Sequence, residues 1–288
     1  MPEVADFFLA GECTDPGYRN VRDLAHHEDE RVFIEAAWRR HAPFADAHSR
    51  EDAKNPFNEC SWEMYLGVTL PGRGLSLVRP AGSAGPEFPI VSHAARTWIE
   101  AVAPGPGDGP DRVPEPEPNV VNAVPVEKIL LRFTKALDVK RKKYAEDRRK
   151  GIVSATDAYV LAINSRRIPH APFGNTLRYF VQAFLPFGPF AVAIDRHSHE
   201  IVDSHYQFRD SVRKPGGSSV STTAFLDPAF SFCSAVLHSA VDCANRPDEL
   251  GRDFTLLHNP NASCPVDPSV FSWARQWKFV KDRLVELA

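Results

Sequence analysis

Residues 62–102, WEMYLGVTLPGRGLSLVRPAGSAGPEFPIVSHAARTWIEAV, decide how this chain is read. The stretch opens as an apolar helix carrying one acid, Glu63, and continues into strand-like segments that carry one acid each, Glu87 in GPEF and Glu100 in WIEA. Charged side chains are seldom buried unless something pairs with them or a metal binds them. Three carboxylates embedded in apolar sequence are therefore the leading functional feature.

The helix starts near Asn58, with Trp62, Tyr65, Leu66, Thr69 and Leu70 as its apolar stripe, and the run Pro71–Gly74 stops it. Glu63 lies about 100° around the helix from Trp62, at the edge of the stripe. Leu75–Arg79 reads as a short strand and Ala81–Gly85 as a turn. Glu87–Val91 and Arg96–Ala103 read as a hairpin joined by the polar turn Ser92–Ala95. In its second strand a period of two puts Trp98, Glu100 and Val102 on one face and Ile99, Ala101 and Ala103 on the other. Apolar residues on both faces predict a covered strand, with Glu100 as an acid inside it.

Beyond the hairpin, residues 104–125 hold seven prolines and three glycines and predict a long loop within one domain. The GPGDG within it lacks the helix that a dinucleotide-binding turn requires. Val126 to about Lys150 is the longest helix candidate, with Val126, Ile129, Leu130, Phe133, Leu137 and Tyr144 toward the core and Lys128, Arg132, Lys135 and Lys142 on another face. Tyr159–Asn164, YVLAIN, reads as a buried strand. Upstream, residues 1–55 read as mostly helical. Downstream, Thr176–Leu185 reads as a helix, 190–195 and 201–208 as a hairpin around RHSHE, 232–241 and 253–258 as strands, and 269–287 as an amphipathic helix. The chain divides into an N-terminal helical segment (1–57), a core (58–164) and a C-terminal α+β extension (165–288), a mixed α/β class.

The totals set limits. With 43% hydrophobic and 25% charged residues in 288, the composition is that of a globular protein. Net charge is only −3, yet residues 127–150 carry ten Lys or Arg against four acids, an asymmetry suited to an anionic partner or a solvated helix face. Five dispersed cysteines without a CxxC pair fit buried thiols in a reducing compartment. The N-terminus lacks the basic, apolar pattern of a secretory signal, and no apolar run approaches the roughly 20 residues of a membrane span. These features predict a cytoplasmic protein without membrane contact. Neither a GxSxG elbow nor a Walker-type phosphate loop is present. His258 reads as structural, and His197, His199 and His205 as part of an exposed turn.

The order helix, strand, strand, strand, helix, strand over 58–164, with an acid on the first helix and on each strand of the hairpin, resembles the PD-(D/E)xK, or restriction-endonuclease-like, nuclease superfamily. Pro86-Glu87 stands where that family has Pro-Asp, Glu100-Ala101-Val102 stands for (D/E)xK, and Glu63 resembles the helix acid that many members add. The resemblance implies a Mg²⁺ or Mn²⁺ ion held by Glu63, Glu87, Glu100 and the backbone carbonyl of Ala101. It further implies phosphodiester hydrolysis, with DNA as the expected polymer. Hard divalent cations prefer oxygen ligands and both activate water and neutralise phosphate charge. The family's lysine is absent, because position 102 is Val. Lys128 or Arg132, at the start of the next helix, is expected to stand in, with Lys135 and Lys142 on phosphates. Glu100 has a plainer alternative, pairing with Arg96 or Arg132. The second reading of the whole chain is a nuclease-fold binding or regulatory module without catalysis. The C-terminal region remains for recognition or for contacts in a homodimer.

Overall fold

Burial of the two faces of one central strand explains the architecture. In this computed structural model, which describes residues 5–46, 48–78, 85–92, 95–173 and 177–287, the strand Ala158–Asn164 is buried along its whole length. Its Ala158, Val160 and Ala162 pack with one cluster of buried side chains, and its Leu161 and Ile163 with another. A strand covered on both faces reads as a continuous apolar run, as AYVLAIN does.

In chain order the helices and strands are α1 (Pro16–Asp23), α2 (Glu28–His41), α3 (Ser49–Asp52), α4 (Phe57–Gly72), β1 (Phe88–Ser92), β2 (Ala95–Val102), α5 (Val126–Arg149), β3 (Ala158–Asn164), α6 (Tyr179–Phe184), β4 (Phe187–Ile194), β5 (Ile201–Phe208), β6 (Ser211–Arg213), β7 (Ser219–Ser221), β8 (Ala235–Ser239), β9 (Thr255–His258), β10 (Arg275–Val280) and β11 (Arg283–Leu287). Seven strands form one mixed sheet in the order β1-β2-β3-β8-β9-β10-β11. Neighbours β2, β3 and β8 run parallel, and β1 pairs antiparallel with β2. The sheet continues across residue 164, so strands from both sides of that boundary share one hydrogen-bonded layer.

Helix α5 and α6 cover one face of the sheet through Ile129, Leu130, Phe133, Leu137, Phe180 and Phe184. Helix α4 covers the other through Trp62, Tyr65, Leu66 and Leu70, and the Trp62 Nε1–H donates to the Ala162 carbonyl at 3.1 Å. The opposite side of α4, through Phe57, Cys60, Met64 and Val68, packs on α1 and α2. A helix pressed between a sheet and a helical layer must be apolar nearly all round, and α4 is. One carboxylate ties this layer together. Asp15 accepts from the N–H groups of Gly17 and Tyr18 at the start of α1 and of Phe57 at the start of α4, at 2.8, 3.2 and 3.0 Å.

Two expectations change. The strand at 75–79 is reduced to a single bridge, Leu77 to Ile90; Arg79 and the turn 81–84 lie outside the described residues, as do His93 and Ala94 of the hairpin turn and Thr176. The expected helix at 269–287 is a short 3₁₀ turn at Pro268–Phe271 followed by the β10–β11 hairpin. Lys281 and Asp282 both adopt positive φ, 48° and 59°, as a two-residue hairpin turn of the I′ kind demands. Trp277, Phe279 and Leu284 then reach the core as strand residues, whereas Val280, which helical spacing from Trp277 would bury, is exposed. The five cysteines are free thiols. Among the described residues no helix is long and apolar enough to cross a membrane.

Candidate functional site

Helix α5 and helix α4 flank the carboxyl end of β2 from opposite faces of the sheet, and between them lies a cleft of about 290 Å³. Strand ends of this kind, outside the carboxyl edge of parallel strands, are the usual ligand positions in open α/β sheets. The cleft receives Glu59 and Glu63 from α4, Glu87 from the approach to β1, the β2 end at Ala101–Ala103, and Arg132, Lys135 and Lys140 from α5. Glu63, Glu87, Ala101, Arg132 and Lys135 were singled out from sequence, and the fold brings all five to this one cleft.

Alternation along β2 holds. Trp98 and Val102 pack on the α5 side, while Ile99, Ala101 and Ala103 pack on the α4 side. Glu100 therefore points at α5 and is fully buried. Its partners are Lys140 and Lys143. The Lys143 ammonium donates to both Glu100 oxygens, at 2.7 and 2.8 Å, and Lys140 donates to Oε1. Neither Arg96 nor Arg132 takes that role: Arg96 lies over the Trp98 ring, and Arg132 Nε–H donates to the Gly105 carbonyl at 2.9 Å.

The Lys143 ammonium also lies 3.5 Å from Glu87 Oε1, and Glu87 Oε2 accepts the Ala101 N–H at 2.8 Å. Pairing of β1 with β2 runs only to Ile99, so the next inward-facing amide on that edge, Ala101, is free to take a side chain. The N–H and C=O of one strand residue point to the same edge, so the Ala101 carbonyl faces the side on which Glu87 sits.

Charge in the cleft is unbalanced. Burial, with the Glu87 carboxylate next, pushes the Glu63 pKa up to about 8, and Glu63 makes no hydrogen bond or ion pair with any described residue. Glu87 is raised by burial and then by Glu100, against the pull of Lys143, Lys140 and the Ala101 N–H. Burial disfavours the Lys143 ammonium, but Glu87 and Glu100 outweigh it and hold its pKa above the ordinary lysine value. Acids held this high are short of positive charge.

This donor set suits Mg²⁺ better than a metal that needs a complete protein cage. Among the described residues no three His, Cys, Asp or Glu side chains converge as a ligand group, and Glu100, expected as a third ligand, has both oxygens on ammonium groups. Mg²⁺ is commonly held by one or two carboxylates, with waters and substrate oxygens completing its octahedron. Glu63 and Glu87, with the Ala101 carbonyl on the same edge, are the residues that could hold such an ion.

Two expected residues lie elsewhere. Lys128 is outside the cleft lining, and Lys142 is exposed and pairs with Asp138 at 3.3 Å. The reason is helical phase. Positions 132, 136, 140 and 143 share one stripe of α5, whereas 128 begins it a turn too early and 142 points away. Lys140 and Lys143 were missed, although a signal existed: they continue, past Leu137, the stripe that buries Phe133 and Ala136. Charges placed where core residues belong imply a buried partner, and Glu100 is that partner. His258 is structural, bonded through Nε2 to Gln276 Oε1 at 2.8 Å in the core. No family model, curated protein or solved structure matches the chain.

Proposed function

We propose that the cleft hydrolyses phosphodiester bonds in a nucleic acid, DNA before RNA, in the manner of a PD-(D/E)xK nuclease whose lysine comes from α5. The observation that carries this reading is the meeting of Glu63, Glu87, Lys140 and the Ala101 edge in one cleft, beside the paired Glu100 and Lys143. The order α4, a bridge at Leu77, β1, β2, α5, β3 supports it.

Glu63 and Glu87, with the Ala101 carbonyl, would hold Mg²⁺, which supplies charge neutralisation and a more acidic water when bound. Lys140 takes the place left by Val102. Lys140 lines the cleft with its ammonium on Glu100, from where it would donate to an oxygen that gains negative charge during the reaction. Glu100 and Lys143 hold Lys140 and Glu87 in position through the hydrogen bonds described above. Arg132 and Lys135, on the same lining, orient a phosphate. Two or more basic contacts of this kind make binding fall with added salt.

A non-catalytic binding module is favoured by one observation, the occupation of both Glu100 oxygens by lysines. One experiment separates the readings. Single- and double-stranded DNA and RNA are incubated with the protein in Mg²⁺ or Mn²⁺ and in EDTA, beside Glu63→Gln and Lys140→Met. Metal-dependent cleavage lost in both variants supports the nuclease. Cleavage that survives both removes this site, and retention of a bound polymer without cleavage selects the binding module.

A further inference from the structure

A second cleft, of about 420 Å³, opens on the other side of the first turn of α4. On a helix of 3.6 residues per turn, Asn58 and Ser61 lie roughly 150° around from Glu59 and Glu63, so one helix divides the two clefts. The second cleft also sits at strand carboxyl ends. Arg166 and Arg167 follow β3 directly, and Asp242 to Ala244 follow its parallel neighbour β8.

Its acids are already engaged. Asp15 caps α1 and α4 through both oxygens, and Asp242 accepts Arg166 Nε–H at 2.6 Å on one oxygen and the Ala244 N–H on the other. Its donors are not. Asn58 Nδ2 is buried without a hydrogen-bond partner, and Arg167 makes no hydrogen bond or ion pair with any described residue. Burial raises the Glu59 pKa and Arg167 is close enough to offset part of that rise, so Arg167 stands at the divide between the clefts. Phe57 and Val21, both buried, supply apolar wall. A complementary ligand thus needs a flat apolar body, an acceptor on its edge and an anionic group. Side-chain amides read the edges of nucleobases, and guanidinium groups pair with phosphate.

We propose that this second cleft binds a nucleoside monophosphate unit, its ring against Phe57 and Val21, a ring acceptor toward Asn58, and its phosphate toward Arg167. The inference goes beyond the nuclease reading and does not require it. A cleft of this volume lies in the range of small-ligand sites.

Calorimetric titration of the full chain with AMP, adenosine and inorganic phosphate tests it. AMP is expected to bind saturably and at least about tenfold more tightly than adenosine or phosphate alone, in proportion to having both contacts. Arg167→Ala should lose about tenfold for AMP and little for adenosine, Asn58→Ala should weaken both, and Arg167→Lys should recover part of the loss, which excludes misfolding as the cause. Phosphate binding as tightly as AMP overturns the proposal, as does AMP affinity unmoved by either alanine variant or the lack of saturable binding at millimolar AMP. Polymer cleavage measured in parallel keeps the two readings apart. AMP binding without cleavage retains this cleft and removes the nuclease, and cleavage without AMP binding does the reverse.

Discussion

Two acids near helix α4 show how differently the same fold treats a carboxylate. Asp253 accepts the Tyr65 hydroxyl and the Ser239 hydroxyl, each at 2.6 Å, and the Gly251 N–H completes the group by donating to the Tyr65 oxygen at 3.2 Å. Glu63, two residues before Tyr65, finds no such partner among the described residues, and burial pushes its pKa up to about 8. A carboxylate whose lone pairs are filled by neutral donors is part of the scaffold. One left short of donors at the mouth of a cleft stores a demand for a cation, and that demand marks the site more clearly than burial does.

The largest expected effect breaks the comparison at catalysis. Loss of one donor aimed at developing charge typically costs about 10²–10³ in rate, so Lys140→Met should lower the initial rate of Mg²⁺-dependent cleavage by that much. Asp253→Asn keeps a side chain that can accept from Tyr65 and should leave the rate within about threefold, a difference too small for a lost catalytic contact. Equal losses in the two variants would mean that the two acids do not differ in kind.

Stability should divide them in another way. Glu100→Ala strips the buried partner from Lys140 and Lys143, and breaking a buried ion pair on one side costs roughly 3–5 kcal/mol. The figure here should fall near the lower end, because Lys143 is partly exposed and retains Glu87. Asp253→Ala leaves two hydroxyls without their acceptor and should cost about 3 kcal/mol. Glu63→Gln removes a charge that finds no partner among the described residues and should raise stability at pH 8, where burial opposes the ionised form. Urea unfolding at fixed pH reads all three.

These differences mark what the sequence could and could not reveal. Glu100 was legible because period two in TWIEAV leaves an acid among residues covered on both faces, and the buried strand at 158–164 was legible from composition alone. Glu63, Glu87 and Ala101 followed from the same stretch. The lysines were harder, because KRKK at 140–143 is a continuous basic run in which every phase of the helix is represented. Only the long-range match with Glu100 selects 140 and 143, and that match is a property of how α5 lies on β2. The tail was misread for a related reason: Trp277 and Phe279 face inward only once β10 pairs with β9. The second cleft was invisible, since it joins residues 15 to 17, 20 and 21, 57, 58 and 61, 166 and 167, and 242 to 244, which no local pattern connects.

The pH dependence sharpens the contrast further. Glu63 has a folded pKa of about 8 against an ordinary 4.5, so the folded state binds more protons than the unfolded state across that interval. Stability from this group is complete below about pH 4.5 and is lost as pH rises through about 8; the raised Glu87 acts in the same sense. A cation on these acids reverses the loss. Melting temperature should therefore rise with added Mg²⁺ more at pH 9 than at pH 5.5, by a few degrees for a binding free energy of about 1–2 kcal/mol. Glu63→Gln should flatten both the pH slope and the Mg²⁺ response, whereas Asp253→Asn should leave the Mg²⁺ response intact.

The smallest effect concerns the phosphate side of the cleft. Gly107 has φ of +85°, and a Cβ there would lie 2.6 Å from Arg132 Nη1, against the same guanidinium that bonds the Gly105 carbonyl. Glycine is needed for both reasons, since it adopts positive φ without strain and leaves room for the arginine. Gly107→Ala should displace Arg132 without touching the acids. Substrate affinity, read as KM or as binding in Ca²⁺, should weaken a few-fold at low salt and converge on the unaltered protein as salt screens the phosphate contact. Arg132→Ala should produce the same salt-dependent loss, and combining the two should add little, because both remove one interaction. A Gly107→Ala effect that persists in the Arg132→Ala background would instead assign the glycine to the shape of the loop alone.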